Sequence, residues 1–400
     1  MKLSERVGKI KPSATMAMAS RAKQMSAQGI DVVDFSLGEP DFDTPEVAKA
    51  AAIQAMKEGY TKYTPPAGAD DLKDAIIEKF QRDNGLKYER SEIIVSCGAK
   101  HSLYNIAQVL YDRGDEVIIP APYWVSYPDQ TLLNDAVPVI IKTKEEERFL
   151  LSPALLERAI TPRSKVLILN SPSNPTGSAY DAKTLENIAE IVLKNGLIVV
   201  SDEIYEKMLY DRKEHVSIAS LGPEIKKQTL IVNGVSKAFS MTGWRIGYIA
   251  GAKEIVAALT TVQSQSTSNP TSISQKAAAA ALRGGASFTQ EMVAEFGRRR
   301  DYAADRLNGM KGVSCPRPDG AFYLFPNISR LLTEGRGPSA LKNSSDLSNL
   351  LLEKARVSTV PGDAFGSDRH IRISYAVPME ILREGLSRIE ALVAELPVHQ

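Results

Sequence analysis

"TLIVNGVSKAFSMTGWRIGYIAG", residues 229–251, places two apolar runs around a stretch with only two charges, Lys237 and Arg245. The flanks, "TLIVN" (229–233) and "GYIAG" (247–251), have the length and composition of buried strands. A solvated lysine usually sits among other charges at helical spacing, but Lys237 sits among small, hydroxylic and aromatic residues. Such a setting predicts an amine held near a core, where a lowered pKa leaves it free to act as a nucleophile.

Working upstream, the same texture recurs five times. "EIIVS" (92–96), "EVIIP" (116–120), "VPVII" (137–141), "VLILN" (166–170) and "LIVVS" (197–201) are rich in Ile and Val and apolar on both faces. Helix-like stretches lie between them, including "KHSLYNIAQVLYD" (100–112) and "DAKTLENIAEIVLKNG" (181–196). In the latter, Asp181 is an N-cap and Gly196 a stop signal. Strand and helix in alternation predict an α/β fold with a mainly parallel central sheet covered by helices.

Beyond residue 290 the pattern changes. A charged helix over 291–310 precedes short strand-like runs at 320–326, 357–362 and 370–376. A Gly/Ser-rich stretch, 332–346, reads as a loop or mobile segment. Four hundred residues exceed one ordinary core. The expected division is a large domain over 47–290 and a smaller α+β domain from 1–46 and 291–400, the N-terminal segment returning to pack against the C-terminal part. The balance of 49 basic and 48 acidic residues gives no electrostatic footing for nucleic acid or an anionic membrane. Two cysteines, Cys97 and Cys315, make no disulfide framework. With no long apolar stretch, the expected location is the cytoplasm.

Chemistry gathers just after the strands. "CGAKHS", "APYWVSYP", "SPSNPTG", "SDEIYEKM" and "GVSKAFS" each follow an apolar run. Ligands of open α/β sheets bind beyond the carboxyl ends of the strands, so these five loops should meet in one pocket. Taken singly, the residues have plainer readings. Asp202 suits a helix N-cap, Tyr205 simple packing, Lys237 a snorkelling surface lysine and Gly98–Ala99 an ordinary turn. Taken together, a desolvated lysine within reach of a carboxylate, a phenol and an arginine suits Schiff-base chemistry. Lys100 in a first helical turn opposes the helix dipole, which favours a nearby anion.

"SPSNPTG", "SDEIY", "SKAFSMTGWRIGY" and "IRISYA", in this order, resemble the class I aminotransferases of the type I pyridoxal-phosphate fold. "SLGEPDFDTP" (36–45), "YTPPAG" (63–68) and "PYWVSYP" (122–128) extend the resemblance over nearly the whole chain. It looks nearest to the bacterial-type aspartate aminotransferases, in the subgroup that includes prephenate aminotransferases. The resemblance implies pyridoxal 5'-phosphate as cofactor, with Lys237 joined to its aldehyde, Asp202 at its ring nitrogen, and Tyr205 and Asn174 at its 3-oxygen. It also implies a phosphate cup of Gly98, Ala99, Lys100, Ser236 and Arg245, and stacking by Trp124. Arg372 and Gly38 match the groups that hold the substrate α-carboxylate, to which Trp124 and Asn174 also belong. Tyr63 matches a tyrosine given to the neighbouring subunit, which implies a homodimer with shared sites.

For an acidic substrate the distal carboxylate needs a cation, and Lys100 with Thr15 is the candidate pair. The expected reaction is ping-pong transfer from aspartate to 2-oxoglutarate. A dual aspartate/prephenate enzyme, or another aminotransferase or a lyase of the same fold, is the alternative. A dinucleotide enzyme is disfavoured because no G-x-G-x-x-G follows an early strand, and no metal site is expected. Two departures stand out. Gly234 occupies a position where many relatives carry a phosphate-binding serine, and "GAKH" (98–101) stands where "GGKQ" is usual.

Overall fold

The six Ile/Val-rich runs all form strands in the computed structural model, which describes residues 3–10, 12–333 and 341–399. In chain order the strands are β1 Val33–Asp34, β2 Ile93–Ser96, β3 Glu116–Ala121, β4 Val137–Lys142, β5 Ser164–Asn170 and β6 Ile198–Asp202. They continue as β7 Thr229–Gly234, β8 Gly247–Ala250, β9 Tyr323–Leu324, β10 Val357–Ser358, β11 Val360–Pro361 and β12 Ile371–Ser374. Seven of these make one sheet in the order β2-β8-β7-β6-β5-β3-β4.

β7, β6, β5, β3 and β4 run parallel, whereas β8 is antiparallel to both β7 and β2. That reversal explains the stretch at 229–251. An antiparallel neighbour needs no helical crossover, so residues 235–246 form a broad loop directly joining β7 to β8. Lys237 and Arg245 both lie on that loop, at the carboxyl end of β7.

Both faces of the sheet are covered. Leu103, Ile106 and Ala107 of helix Ala99–Leu110 pack with Val232 and Ile249. Leu185, Ile188 and Val192 of helix Ala182–Asn195 pack with Leu167 and Val199. The caps of this second helix are those expected. The Asp181 side chain accepts from the Thr184 N–H at 2.7 Å, and Gly196 adopts φ 65°. β4 differs from the reading of a strand apolar on both sides. It is an edge strand that exposes Val137 and Ile140.

A second core surrounds the three-stranded antiparallel sheet β11-β12-β9, with Phe296, Phe322, Ile373, Tyr375 and Leu386 among its members. β9 is shorter than the apolar run at 320–326 suggests. Ala321 has φ 56°, a left-handed conformation that cannot continue an extended ladder. The N-terminal segment does return to this region. β1 pairs in parallel with β10, and Arg21 of helix Ala14–Ala27 bonds to Asn349 and Glu353. Within the Gly/Ser-rich stretch, residues 334–340 lie outside the described residues. Asn343 just beyond them caps helix Ser344–Leu350. No helix among the described residues is long and apolar enough to cross a membrane.

Candidate active site

All five post-strand loops line one cavity of about 250 Å³. Lys100, Trp124, Asn174, Asp202, Tyr205, Ser236, Lys237 and Arg245 arrive from the main sheet. Arg372 enters from β12, and Gly38 and Thr15 come from the N-terminal segment.

Asp202 ends β6 and is buried. One carboxylate oxygen accepts from the Tyr127 hydroxyl at 2.8 Å, the other from the Ile204 N–H at 3.2 Å. Burial lifts its pKa to about 6, against the opposing pull of those two hydrogen bonds. Lys237 is half-buried, and its Nζ donates to the Gly38 carbonyl at 2.6 Å. Desolvation pushes its pKa down to about 8, with Glu39 acting the other way and Arg372 and Arg245 reinforcing it. Acid and amine are therefore displaced toward each other, the pattern of groups tuned for proton work near neutrality.

Arg372 is held by its surroundings. Its Nη2 donates to the Ser36 carbonyl at 2.6 Å and its Nη1 to the Asn174 side-chain oxygen at 3.0 Å. Its guanidinium carbon lies 4.5 Å from the centre of the Tyr323 ring. Its Nε is buried without a partner among the described residues. Tyr205 and Tyr323 share a hydroxyl–hydroxyl bond of 2.7 Å, and a Cβ on Gly38 would come within 2.6 Å of the Tyr323 hydroxyl. The Gly38 backbone thus approaches as only glycine can.

The turn after β2 is a second close approach. Gly98 has φ 90°, and a Cβ there would lie 2.4 Å from Arg245 Nη2. A Cβ on Gly247 would lie 2.3 Å from the Ala99 backbone nitrogen. The start of helix Ala99–Leu110 is thereby pressed against Arg245, and the N–H groups of Ala99 and Lys100 precede the first helical hydrogen bond, from the His101 N–H to the Gly98 carbonyl at 2.9 Å. A helix N-terminus with an arginine across it is suited to a phosphate. Gly234 is explained by packing, since a Cβ there would meet the Ile246 carbonyl at 2.9 Å, so a serine does not fit without a shift. His101 acts locally. Its Nδ1 accepts from the Cys97 N–H at 3.2 Å, and burial lowers its pKa, which keeps that nitrogen an acceptor.

Trp124 stacks edge-on against Tyr127 and carries Lys100 Nζ over its ring at 4.9 Å. Of the predicted site residues, Gly98 and Tyr63 do not line the cavity: Gly98 lies against Arg245, and Tyr63 stands apart. Tyr63 is 91% exposed. Sequence reasoning passed over Tyr127, Tyr323 and Asn170, all of which line the site. Tyr127 had a signal, three residues after Trp124 on the same helical turn. Tyr323 had none, because its place depends on how β9 meets the sheet.

The arrangement is that of an enzyme working on an amine and an anion, and the chain belongs to the class I and II aminotransferases, whose family model matches residues 30–389. Its relatives narrow the class. It is 50% identical over 389 residues to an aspartate aminotransferase of Geobacillus stearothermophilus, covering 97% of this chain and 98% of that one. It is 45% identical to an aspartate/prephenate aminotransferase of Nitrosomonas europaea, covering 98% and 100%. Among solved structures, the aspartate aminotransferase of Rhizobium meliloti superposes with a TM-score of 0.95 at 45% identity, over 99% of this chain and 100% of that one.

Proposed function

We propose that this aminotransferase moves the amino group of L-aspartate to 2-oxoglutarate, giving oxaloacetate and L-glutamate, with pyridoxal 5'-phosphate as cofactor. One observation carries the reading. The cavity is lined by four cationic side chains, Lys100, Lys237, Arg245 and Arg372, and by one carboxylate, Asp202. None of the four forms a salt bridge with a carboxylate among the described residues. Such an excess suits two dianions held together, a phosphate ester and a dicarboxylate.

The residues fit that cofactor. The glycine-lined turn beside Arg245 accepts a phosphate, and a buried carboxylate with a raised pKa favours a cationic ring N–H against it. When bound, pyridoxal phosphate supplies an aldehyde that condenses with amines and a ring that accepts the electron pair left when Cα–H breaks. Asp202, kept in line by Tyr127, holds a proton at the ring nitrogen. Lys237 Nζ would take the proton from Cα and deliver it to the cofactor's aldehyde carbon, and do the reverse in the second half of the reaction, which a pKa near 8 permits in both directions. Arg372 clamps the α-carboxylate as a planar fork, fixed by Ser36 and Asn174. Lys100, with Thr15, meets the distal carboxylate. The exposed Tyr63 serves the partner's phosphate in a homodimer, and the enzyme works in the cytoplasm. The large domain is 47–290, and the small domain 1–46 with 291–400.

Lys100→Ala tests the substrate assignment. Loss of one charge-assisted contact of about 2 kcal/mol should lower kcat/KM for aspartate roughly 30-fold. Alanine, which has no distal carboxylate, should change less than about threefold. Equal losses on both amino acids would remove Lys100 from this role. Prephenate is a second acceptor of the same chemistry, since it also presents a distal carboxylate and the Nitrosomonas europaea relative is named for it. Transfer from glutamate to prephenate, assayed beside 2-oxoglutarate, separates a dual enzyme from a strict one.

A further inference from the structure

A second cavity, of about 610 Å³, lies on the far side of the Lys237 loop. It is framed by helices Asp70–Asn84 and Ala286–Asn308 and by residues 206–211. The two cavities share no lining residue, yet Gly234 and Ala238, which bracket Lys237 in the chain, both line this one.

Its walls are apolar, with Leu209, Phe239, Leu282, Val293 and Ala294 prominent. Gly297 adds to the space. It sits inside a 23-residue helix, where glycine is less favourable than alanine. A Cβ there would meet only the Tyr210 ring, at an ordinary 3.5 Å. Packing therefore does not require the glycine, and its effect is to leave room.

One end is polar and carries an excess of positive charge. Lys79, Arg82 and Lys207 face two carboxylates there, Asp83 and Glu206. Lys79 pairs with Glu206, Arg82 lies 2.8 Å and Lys207 2.9 Å from Asp83. At the other end Arg300 is closed off between Asp211 and Asp301. Tyr248 lines the cavity and is only 1% exposed, yet its hydroxyl has no hydrogen-bond partner among the described residues. Burial, with Glu206, Asp83 and Glu203 nearby, keeps that hydroxyl protonated, so it can donate to an acceptor placed in the cavity.

We infer that this cavity is a second ligand site, which takes an organic monocarboxylate with an apolar, ring-sized body. The ring fills the space beside Gly297 and Ala294. The carboxylate accepts from Tyr248 and meets Arg82 and Lys207 at the positive end.

Calorimetric titration of the holoenzyme with 3-(indol-3-yl)propionate, a carboxylate with no amino or oxo group to react, tests this. Maleate at saturating concentration occupies the catalytic cleft throughout. The expected result is one saturable site per chain. Tyr248→Phe, which deletes only a hydroxyl, should weaken binding about fivefold, the worth of one hydrogen bond. Ala294→Phe, which fills the cavity, should weaken it at least tenfold while transamination of aspartate is unchanged. Either no saturable binding with maleate present or equal affinity in Ala294→Phe would overturn the assignment.

Discussion

Lys237→Ala is expected to lower transamination by at least about 10⁴-fold, the upper range for loss of a positioned acid–base group. The visible absorption that pyridoxal phosphate shows when joined to the lysine should vanish, with the fold intact by circular dichroism. The reason lies in the position of the amine. Nζ is desolvated on the loop between β7 and β8, beside the Gly38 carbonyl, and no other amine sits at that point in the cavity. The lowered pKa adds a second expectation. Only the neutral amine attacks an aldehyde, so capture of the cofactor by cofactor-free enzyme should quicken about tenfold per pH unit below about 8 and level off above it. Stopped-flow absorbance at several pH values measures this. A rate that kept rising to pH 10 would mean that the lysine is not desolvated.

Asp202→Asn should be nearly as damaging, and it should also stabilise the cofactor-free protein. Removing one partner of a buried charge pair costs about 3–5 kcal/mol, equivalent to a loss of roughly 10²–10⁴ in kcat. The effect on stability has the opposite sign. Burial raises the folded-state pKa of Asp202 from 3.8 to about 6, so the folded protein binds more protons than the unfolded chain between those values. This group's contribution is thus fully present below about pH 4 and is lost as pH rises through 6. Above pH 6 the cofactor-free wild type bears a cost of about 2–3 kcal/mol that asparagine lacks. Urea unfolding of the two cofactor-free proteins should show the variant ahead at pH 7.5, with the gap narrowing at pH 5. A wild type more stable than the variant at pH 7.5 would show that Asp202 has a compensating cation in the cofactor-free fold.

Much of the architecture was legible because buried parallel strands leave a plain mark. The runs at 116–120 and 166–170 are apolar at every position but Glu116 and Asn170, and the structure makes both of them interior strands. The run at 137–141 looks the same, yet β4 is at the edge, because composition does not say which strand will lack a neighbour. Caps such as Asp181 were readable because they depend on contacts only three residues away. The antiparallel sense of β8 was not, since "GYIAG" carries no direction.

The site divides in the same way. Gly98, Asp202, Lys237 and Arg245 are each attached to a strand end, so the rule that such ends converge was enough to bring them together on paper. The sequence by itself determined the α/β class, the five converging loops and the place of Lys237 among them, because these follow from local apolar runs and what directly succeeds them. Only the tertiary structure decided that Tyr127 holds Asp202, that Ser36 and Asn174 orient Arg372, and that Gly234 has no room for a serine. Those contacts join residues 75, 336 and 198 positions apart. Over such separations only the packed chain fixes distance, and with it desolvation and pKa.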